Sequence, residues 1–348
     1  MDLTAYPRIA IVIPARNEAR VIAEKIHSTH RMHFPPLPIG ITHLAIVVDD
    51  ESSDATLDIA KETVDLLQKR SNLEWRIIKN QFSPGKGGAL RTGFGEGAGF
   101  DIFVITDADA IVSENAPVST AGAMRRANVG VASGMQRYAA VLQNGIPGGD
   151  RRDLYDIASE EIRALESRFG ILFSVHGPWL AFRSAAGAEP REGIAADDLD
   201  LSLQIRERGW RAILLRDVIF YEWKPGGELL EAQRIRRARA YFEVMDLHWR
   251  NCLQIRPRPF GAAQFVLYAF GPVLLAILFC ALWIAPPILT FIDTGNLVIT
   301  LAVMLAEAGI FVLPPVYQCY QYAMVILKAR FSPPRRAADR WTPTARPL

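Results

Sequence analysis

Up to Val112 the chain alternates two hydrophobic patterns. Continuous Ile/Val-rich runs appear at Arg8–Pro14 ("RIAIVIP"), His43–Asp50 ("HLAIVVDD"), Glu74–Asn80 ("EWRIIKN") and Asp101–Asp109 ("DIFVITDAD"). Between them, apolar positions recur at helical spacing, which predicts helices over Glu18–Thr29, Ser53–Gln68 and Gly87–Gly95. Strands that are apolar on both faces and separated by helices are those of a parallel sheet covered on each side, so the pattern predicts an α/β fold. In such sheets ligands gather at the carboxyl ends of the strands. Three of these runs end in polar clusters, "PARNE", "DDESSD" and "DAD", which are therefore expected to converge.

The pattern changes near residue 259. From Pro259 to Leu327 only Asp293 and Glu307 are charged, and the stretches Ala262–Ile292 and Leu297–Leu327 each exceed the roughly 20 apolar residues needed to span a bilayer. Arg250, Arg256 and Arg258 precede the first stretch, while Lys328, Arg330, Arg335 and Arg336 follow the second. The positive-inside rule then predicts a membrane hairpin with both flanks cytoplasmic: a multi-pass cell-membrane protein. Pro286-Pro287 and Pro314-Pro315 are expected to kink or end helices, so the second stretch also fits one span plus a re-entrant or interfacial piece. Glu307, inside the second stretch, is expected to face a partner or a cavity instead of lipid. The expected organisation is a cytoplasmic domain over 1–258, a helical membrane region over 259–330 and a basic tail over 331–348. The N-terminal run is too short for a signal segment.

Composition narrows the function. With 348 residues the chain is long enough for two structural units. A formal charge of +2 lacks the concentrated basic surface of a nucleic-acid binder. Cys252, Cys280 and Cys319 are too scattered for a disulfide framework or a zinc site.

Asp107 and Asp109 are a candidate metal-carboxylate pair, since hard divalent cations prefer oxygen and a strand end fixes where the oxygens point. The same letters also make an ordinary turn. "SPGKGGALRTGFGEGAG" carries neither the Walker nor the Rossmann glycine spacing. What remains is Lys86 at a helix start, suited to a pyrophosphate and equally to solvent. Asp197, Asp198 and Asp200 open an amphipathic helix and complement its positive end.

Together, Pro14-Ala15-Arg16-Asn17-Glu18, Asp49-Asp50-Glu51-Ser52-Ser53-Asp54 and Asp107-Ala108-Asp109 resemble the family 2 glycosyltransferases of GT-A fold, over roughly Ile9 to Tyr241. The resemblance implies that Pro14, Glu18 and Asp50 contact the base and ribose of a nucleotide-sugar donor, with Lys86 on the donor side. It places Asp107 near the ribose or sugar, and Asp109 on a divalent metal, Mg²⁺ or Mn²⁺, at the diphosphate. "ADDLDLS" is similar to the family's E-D pair before a D-L-S helix, implying Asp198 as catalytic base and Asp197 in the place usually held by Glu.

"SVHGPWLAFR" resembles the S-G-P-L segment of hyaluronan- and chitin-type synthases, implying an acceptor-side loop with Gly177, Pro178 and Trp179. Trp179 suits sugar stacking and core packing equally, and His176 is assigned a structural role. "EAQRIRRARAYF" is similar to the Q-x-x-R-W segment: Gln233 and Arg236 match, and Arg237 stands where the family has Trp. Arg236 suits a diphosphate, and Arg234 to Arg239 also suit anionic lipid.

The expected reaction is an inverting single transfer from a nucleoside-diphosphate sugar, uridine by family weight, to a lipid-linked or glycan acceptor. Processive synthesis of a hyaluronan- or poly-N-acetylglucosamine-like polymer is the alternative, and a non-catalytic nucleotide-sugar-binding membrane subunit is a third reading. A homo-oligomeric state is left open.

Overall fold

The computed structural model describes residues 7–138, 141–143, 146–148, 154–222, 227–255, 259–311 and 314–331. The basic tail, along with Arg256 and Arg258, lies outside them. Two compact units result, one of residues 7–222 with 253–255 and 259–261, the other of 227–252 with 262–331. The Gln233/Arg236 segment falls in the second unit.

The first unit is built on strands β1 (Ile9–Ala15), β2 (His43–Asp49), β3 (Leu73–Lys79), β4 (Ile102–Ile105), β5 (Ile111–Val112) and β6 (Val129–Tyr138). It continues with the hairpin β7 (Val141–Gln143) and β8 (Ile146–Gly148), then β9 (Leu180–Arg183) and β10 (Arg211–Glu222). Its helices are α1 (Ile22–Arg31), α2 (Thr56–Leu66), α3 (Lys86–Glu96), α4 (Ala116–Met124), α5 (Leu154–Phe169) and α6 (Asp197–Glu207).

Eight strands form one sheet in the order β3-β2-β1-β4-β9-β6-β10-β5. The parallel order predicted for the first four strands is present, with Ile11 opposite Ala45 and Val104. The other half is mixed, because β9 runs antiparallel to β4 and β6, and β5 antiparallel to β10. That reversal matters for the site: β9 begins at the edge where β4 ends, with Leu180 opposite Ile105, so the turn before β9 meets the turn after β4.

Period-two alternation splits the core between the two sheet faces. Ile9, Ile11, Ile13 and Val47 pack with Ile22 and Ile26 of α1, Ala60 of α2 and Met124 of α4. Ala10, Val12, Ile46 and Val48 pack with Ala89 and Leu90 of α3 and Leu201 and Ile205 of α6. α6 is buried over most of its surface, which corrects the amphipathic helix expected there.

The second unit contains α7 (Gly227–His248), α8 (Phe260–Thr294) from Ala262 onward, α9 (Leu297–Phe311) and α10 (Pro314–Phe331). Arg234 donates to the Tyr322 hydroxyl at 3.1 Å, and Lys328–Glu231 and Arg330–Asp246 ion pairs also tie α7 to α10. α8 runs without interruption for 35 residues, so Pro286-Pro287 lies inside it instead of ending it. Among the described residues it is the one helix long and apolar enough to cross a membrane. The second predicted span is covered by α9 and α10, and residues 312–313, just ahead of Pro314-Pro315, lie outside the described residues. Glu307 is half-buried in α9.

Candidate active site

The first two polar clusters are stitched to each other by side chain to backbone bonds. Asn17 adopts the left-handed backbone region (φ 56°) that Asn tolerates, and its Oδ1 accepts from the Ser53 amide at 2.8 Å. In return the amides of Asn17, Glu18 and Ala19 donate to Ser52 Oγ, Thr56 Oγ1 and Asp54 Oδ2 at 3.0, 2.7 and 3.2 Å. Asp54 also accepts the Thr56 amide. The loops after β1 and β2 therefore behave as one wall, with Pro14 buried in β1 and Glu18 half-buried at its lip.

Asp50 lies behind this wall and is fully buried. Its Oδ1 accepts from Asn80 Nδ2 at 2.6 Å, its Oδ2 pairs with Arg16 at 3.2 Å, and the Gly85 amide reaches both oxygens at 3.0 and 2.9 Å. A carboxylate has about four acceptor sites. With these contacts, Asp50 ties together the loops carrying Arg16, Asn80 and Gly85 instead of presenting an open face for a direct nucleotide contact. The partially exposed Arg16 faces outward in its place.

Asp107 and Asp109 occupy the turn between β4 and β5, closed by the Ala110 amide on the Asp107 carbonyl. Lys86 opens α3, and its Nζ lies 3.0 Å from Asp107 and 3.3 Å from Asp197. Gly177 faces the same point: a Cβ there would lie 3.4 Å from Lys86 Nζ, 3.7 Å from Asp107 Oδ2 and 3.8 Å from Asp198 Oδ2. Lys86, Asp107, Gly177, Asp197 and Asp198, drawn from four segments of the chain, thus surround one small volume. The glycines after Lys86 permit this closeness, since a side chain at Gly87 would run into the carbonyl of Arg191. Asp200, below the pair, is held by Arg191 and Gln204 and fixes the loop leading into α6.

The electrostatics of this cluster divide its two adjacent acids. Burial pulls the Lys86 ammonium toward neutrality, but the carboxylates of Asp107, Asp197 and Asp198 outweigh it, and the net shift is upward. For Asp197 burial dominates: it pushes the carboxyl up to about 6 against the opposing pull of Lys86, with Asp198 and Asp107 adding to the rise. Asp198 is less buried, and its Oδ1 accepts the Leu199 amide at 2.8 Å.

Of the two roles the sequence allows Trp179, the structure has the packing one. Trp179 is fully buried in the one-turn helix Gly177–Trp179, packs in the core and donates from Nε1 to Thr120 Oγ1 at 3.0 Å. No face of the ring is left for a sugar. Pro178 and Gly177 remain at the turn beside the cluster. Gln233 and Arg236 are half-buried on α7, in the second unit, where burial and then Arg237 lower the Arg236 guanidinium's affinity for its proton.

Sequence reasoning passed over Lys25. Its side chain is 2 % exposed, and its Nζ donates to Thr106 Oγ1 at 2.6 Å and the Ala110 carbonyl at 2.8 Å. Burial lowers its pKa to about 7, with Asp107 opposing. The available signal was a lysine among Ile22, Ile26 and Thr29, on the face of α1 that turns inward.

Among the described residues no group of three or more His, Cys, Asp or Glu could hold a metal ion by itself. The half-buried carboxylates of Asp107 and Asp109 are nevertheless hard oxygen donors on one turn. That set fits a cation held by one or two carboxylates and completed by a ligand's phosphates.

The family model described as "Glycosyltransferase like family 2" matches residues 7–243. The chain belongs to the family 2 glycosyltransferases. A probable glycosyltransferase of Bacillus subtilis (strain 168), YdaM, is 33% identical over 109 residues, 31% of this chain. The chain spans about a quarter of the length of that curated relative (24%). Among solved structures, the mannosyltransferase PcManGT from Pyrobaculum calidifontis, in complex with GDP-Man and Mn²⁺, is similar at TM-score 0.70 and 23% identity, covering 94% of this chain and 87% of that one. TarS 1-349 of S. aureus, in complex with UDP-GlcNAc, is similar at TM-score 0.53 and 18% identity, covering 93% and 91%. At these identities the likeness is one of fold, the GT-A-like sheet of a family 2 glycosyltransferase.

Proposed function

We propose that this glycosyltransferase moves a sugar, with inversion, from a nucleoside-diphosphate sugar to a hydroxyl of a lipid-linked acceptor at a membrane surface. The observation that carries the reading is the meeting of Lys86, Asp107, Asp197 and Asp198 around Gly177 at the carboxyl edge of the sheet. It brings an anion-binding ammonium and a carboxylate of base character to one volume.

The wall formed by Pro14, Arg16 and Glu18, braced by Asp50, receives the nucleoside. Lys86 attracts the diphosphate at the start of α3, where helix amides add to its charge. Asp109, with Asp107 beside it, would hold a divalent cation, Mg²⁺ or Mn²⁺, which when bound supplies neutralising charge to the departing nucleoside diphosphate. Asp198, the more open of the adjacent acids, takes the proton from the acceptor hydroxyl as that oxygen attacks the anomeric carbon, a step to which a positioned base typically contributes about 10²–10⁴-fold. Asp197 stays paired with Lys86 and keeps it directed at the donor. Gly177 and Pro178 border the acceptor side.

The membrane part of the reading is supported by α8. Leu267, Leu274, Leu278, Leu282 and Leu289 are each more than half exposed along it, an apolar surface that water disfavours.

Donor hydrolysis by the detergent-solubilised protein, measured across UDP- and GDP-sugars with and without Mn²⁺, tests the reading. One donor should be cleaved with metal stimulation. Hydrolysis of none, at protein concentrations that bind none, would refute it.

A further inference from the structure

A lysine removed from water is costly to keep, and such groups persist where their contacts are specific. Lys25 reaches across from α1 to bracket the Asp107–Asp109 turn, bonding the residue before it, Thr106, and the residue after it, Ala110. Its proton donors are used on those two oxygens and on neither turn carboxylate in these contacts. The Thr106 hydroxyl that accepts from Lys25 donates in turn to the Pro178 carbonyl at 2.6 Å. One fully buried hydroxyl therefore links the turn after β4 to the turn before β9. The Pro178 carbonyl can only accept, so Thr106 gives its proton there and accepts from Lys25. The next residue, Trp179, is anchored independently by its bond to Thr120.

We infer that Lys25 is a positioning residue for the diphosphate and metal end of the donor site: it holds the Asp107–Asp109 turn closed and, through Thr106, sets the distance of that turn from Gly177–Pro178. This rests on the proposed reading, in which that turn meets the diphosphate and the wall of Pro14, Arg16 and Glu18 meets the nucleoside. A lysine that merely supported the domain would affect both ends alike. A positioning lysine affects one.

The test is equilibrium binding to the full-length, detergent-solubilised protein of GDP and UDP, with and without Mn²⁺, beside GMP and UMP without metal. Two variants are compared with the wild type: Lys25→Met, and Thr106→Val, which keeps the branched shape and removes the linking hydroxyl. In both, the Mn²⁺-dependent gain in diphosphate affinity should fall by about tenfold or more, the usual scale for groups that orient metal ligands. Monophosphate binding should hold. An undiminished Mn²⁺-dependent gain in the variants would overturn the inference, as would a parallel loss of monophosphate and diphosphate binding. If Lys25→Met does not fold, Thr106→Val decides by the same criteria. A wild type whose affinity for both diphosphates ignores Mn²⁺ would instead sink the donor-site reading, and the role of Lys25 with it.

Discussion

Lys86 and Asp197 stand 3.3 Å apart, yet the acid is held above the ordinary carboxylate range. Burial of Asp197 outweighs the neighbouring ammonium, partly because Asp107 and Asp198 compete for the same cation. The pair is thus arranged to point Lys86 and costs stability where Asp197 is ionised.

That cost has a sign in pH. The folded value of about 6 exceeds the ordinary 3.8, so the native state binds this proton more tightly than the unfolded chain. The associated stability is complete below about 3.8 and lost as pH rises through about 6. Asparagine cannot ionise and escapes the loss. Thermal unfolding from acid to neutral pH should therefore show Asp197→Asn gaining on the wild type as pH rises from about 3.8 to about 6 and holding that gain above it. A variant that falls behind over that range would mean the ion pair outweighs burial.

Asp198 is assigned the proton transfer, and its substitution should separate binding from chemistry. Asp198→Asn keeps the side-chain oxygen that accepts the Leu199 amide, so α6 should still start correctly. Donor affinity should stay near that of the wild type while transfer drops by about a hundredfold or more. Binding and turnover measured on one preparation check this. Equal losses in both would make Asp198 a donor ligand.

Gly177 leaves room among Lys86, Asp107 and Asp198. A methyl group would sit at 3.4 Å or more from each, close to ordinary contact, so Gly177→Ala should fold with little change in melting temperature. The methyl would nevertheless occupy the volume that the transferred sugar needs. Transfer should be lost while nucleoside monophosphate still binds, and full transfer by the variant would show that the sugar sits elsewhere.

The legible parts of this structure share one property: their evidence is local. β1, β2 and β4 announce themselves because each is buried and apolar on both faces, and the polar clusters at their ends follow directly. The antiparallel β9 is different, since "LAFR" acquires its direction only from partners far along the chain. Asp50 looked available because nothing beside it in sequence reveals Asn80 and Gly85 closing on its oxygens. Lys25 was hidden by the opposite effect, a charged residue on a helix face whose neighbours mark it as core. In α8 the proline pair does not end the helix, because a proline costs one amide bond and a local clash, which the long apolar helix absorbs.

Trp179 shows what a motif cannot say about orientation. Gly177 and Trp179 are neighbours but for Pro178, and only the glycine borders the cluster; the indole turns into the core to reach Thr120. Trp179→Phe keeps an aromatic ring, removes the donor and leaves a small void. The unsatisfied Thr120 hydroxyl alone should cost about 1–3 kcal/mol, with a further loss from the void. A residue stacked on an acceptor sugar would behave in the reverse way, losing acceptor affinity with little change in stability. Denaturant unfolding and the acceptor KM, measured together on Trp179→Phe, separate the two. The structure requires lower stability and an unchanged acceptor KM in the folded fraction, and a raised KM at wild-type stability would return the ring to the acceptor side.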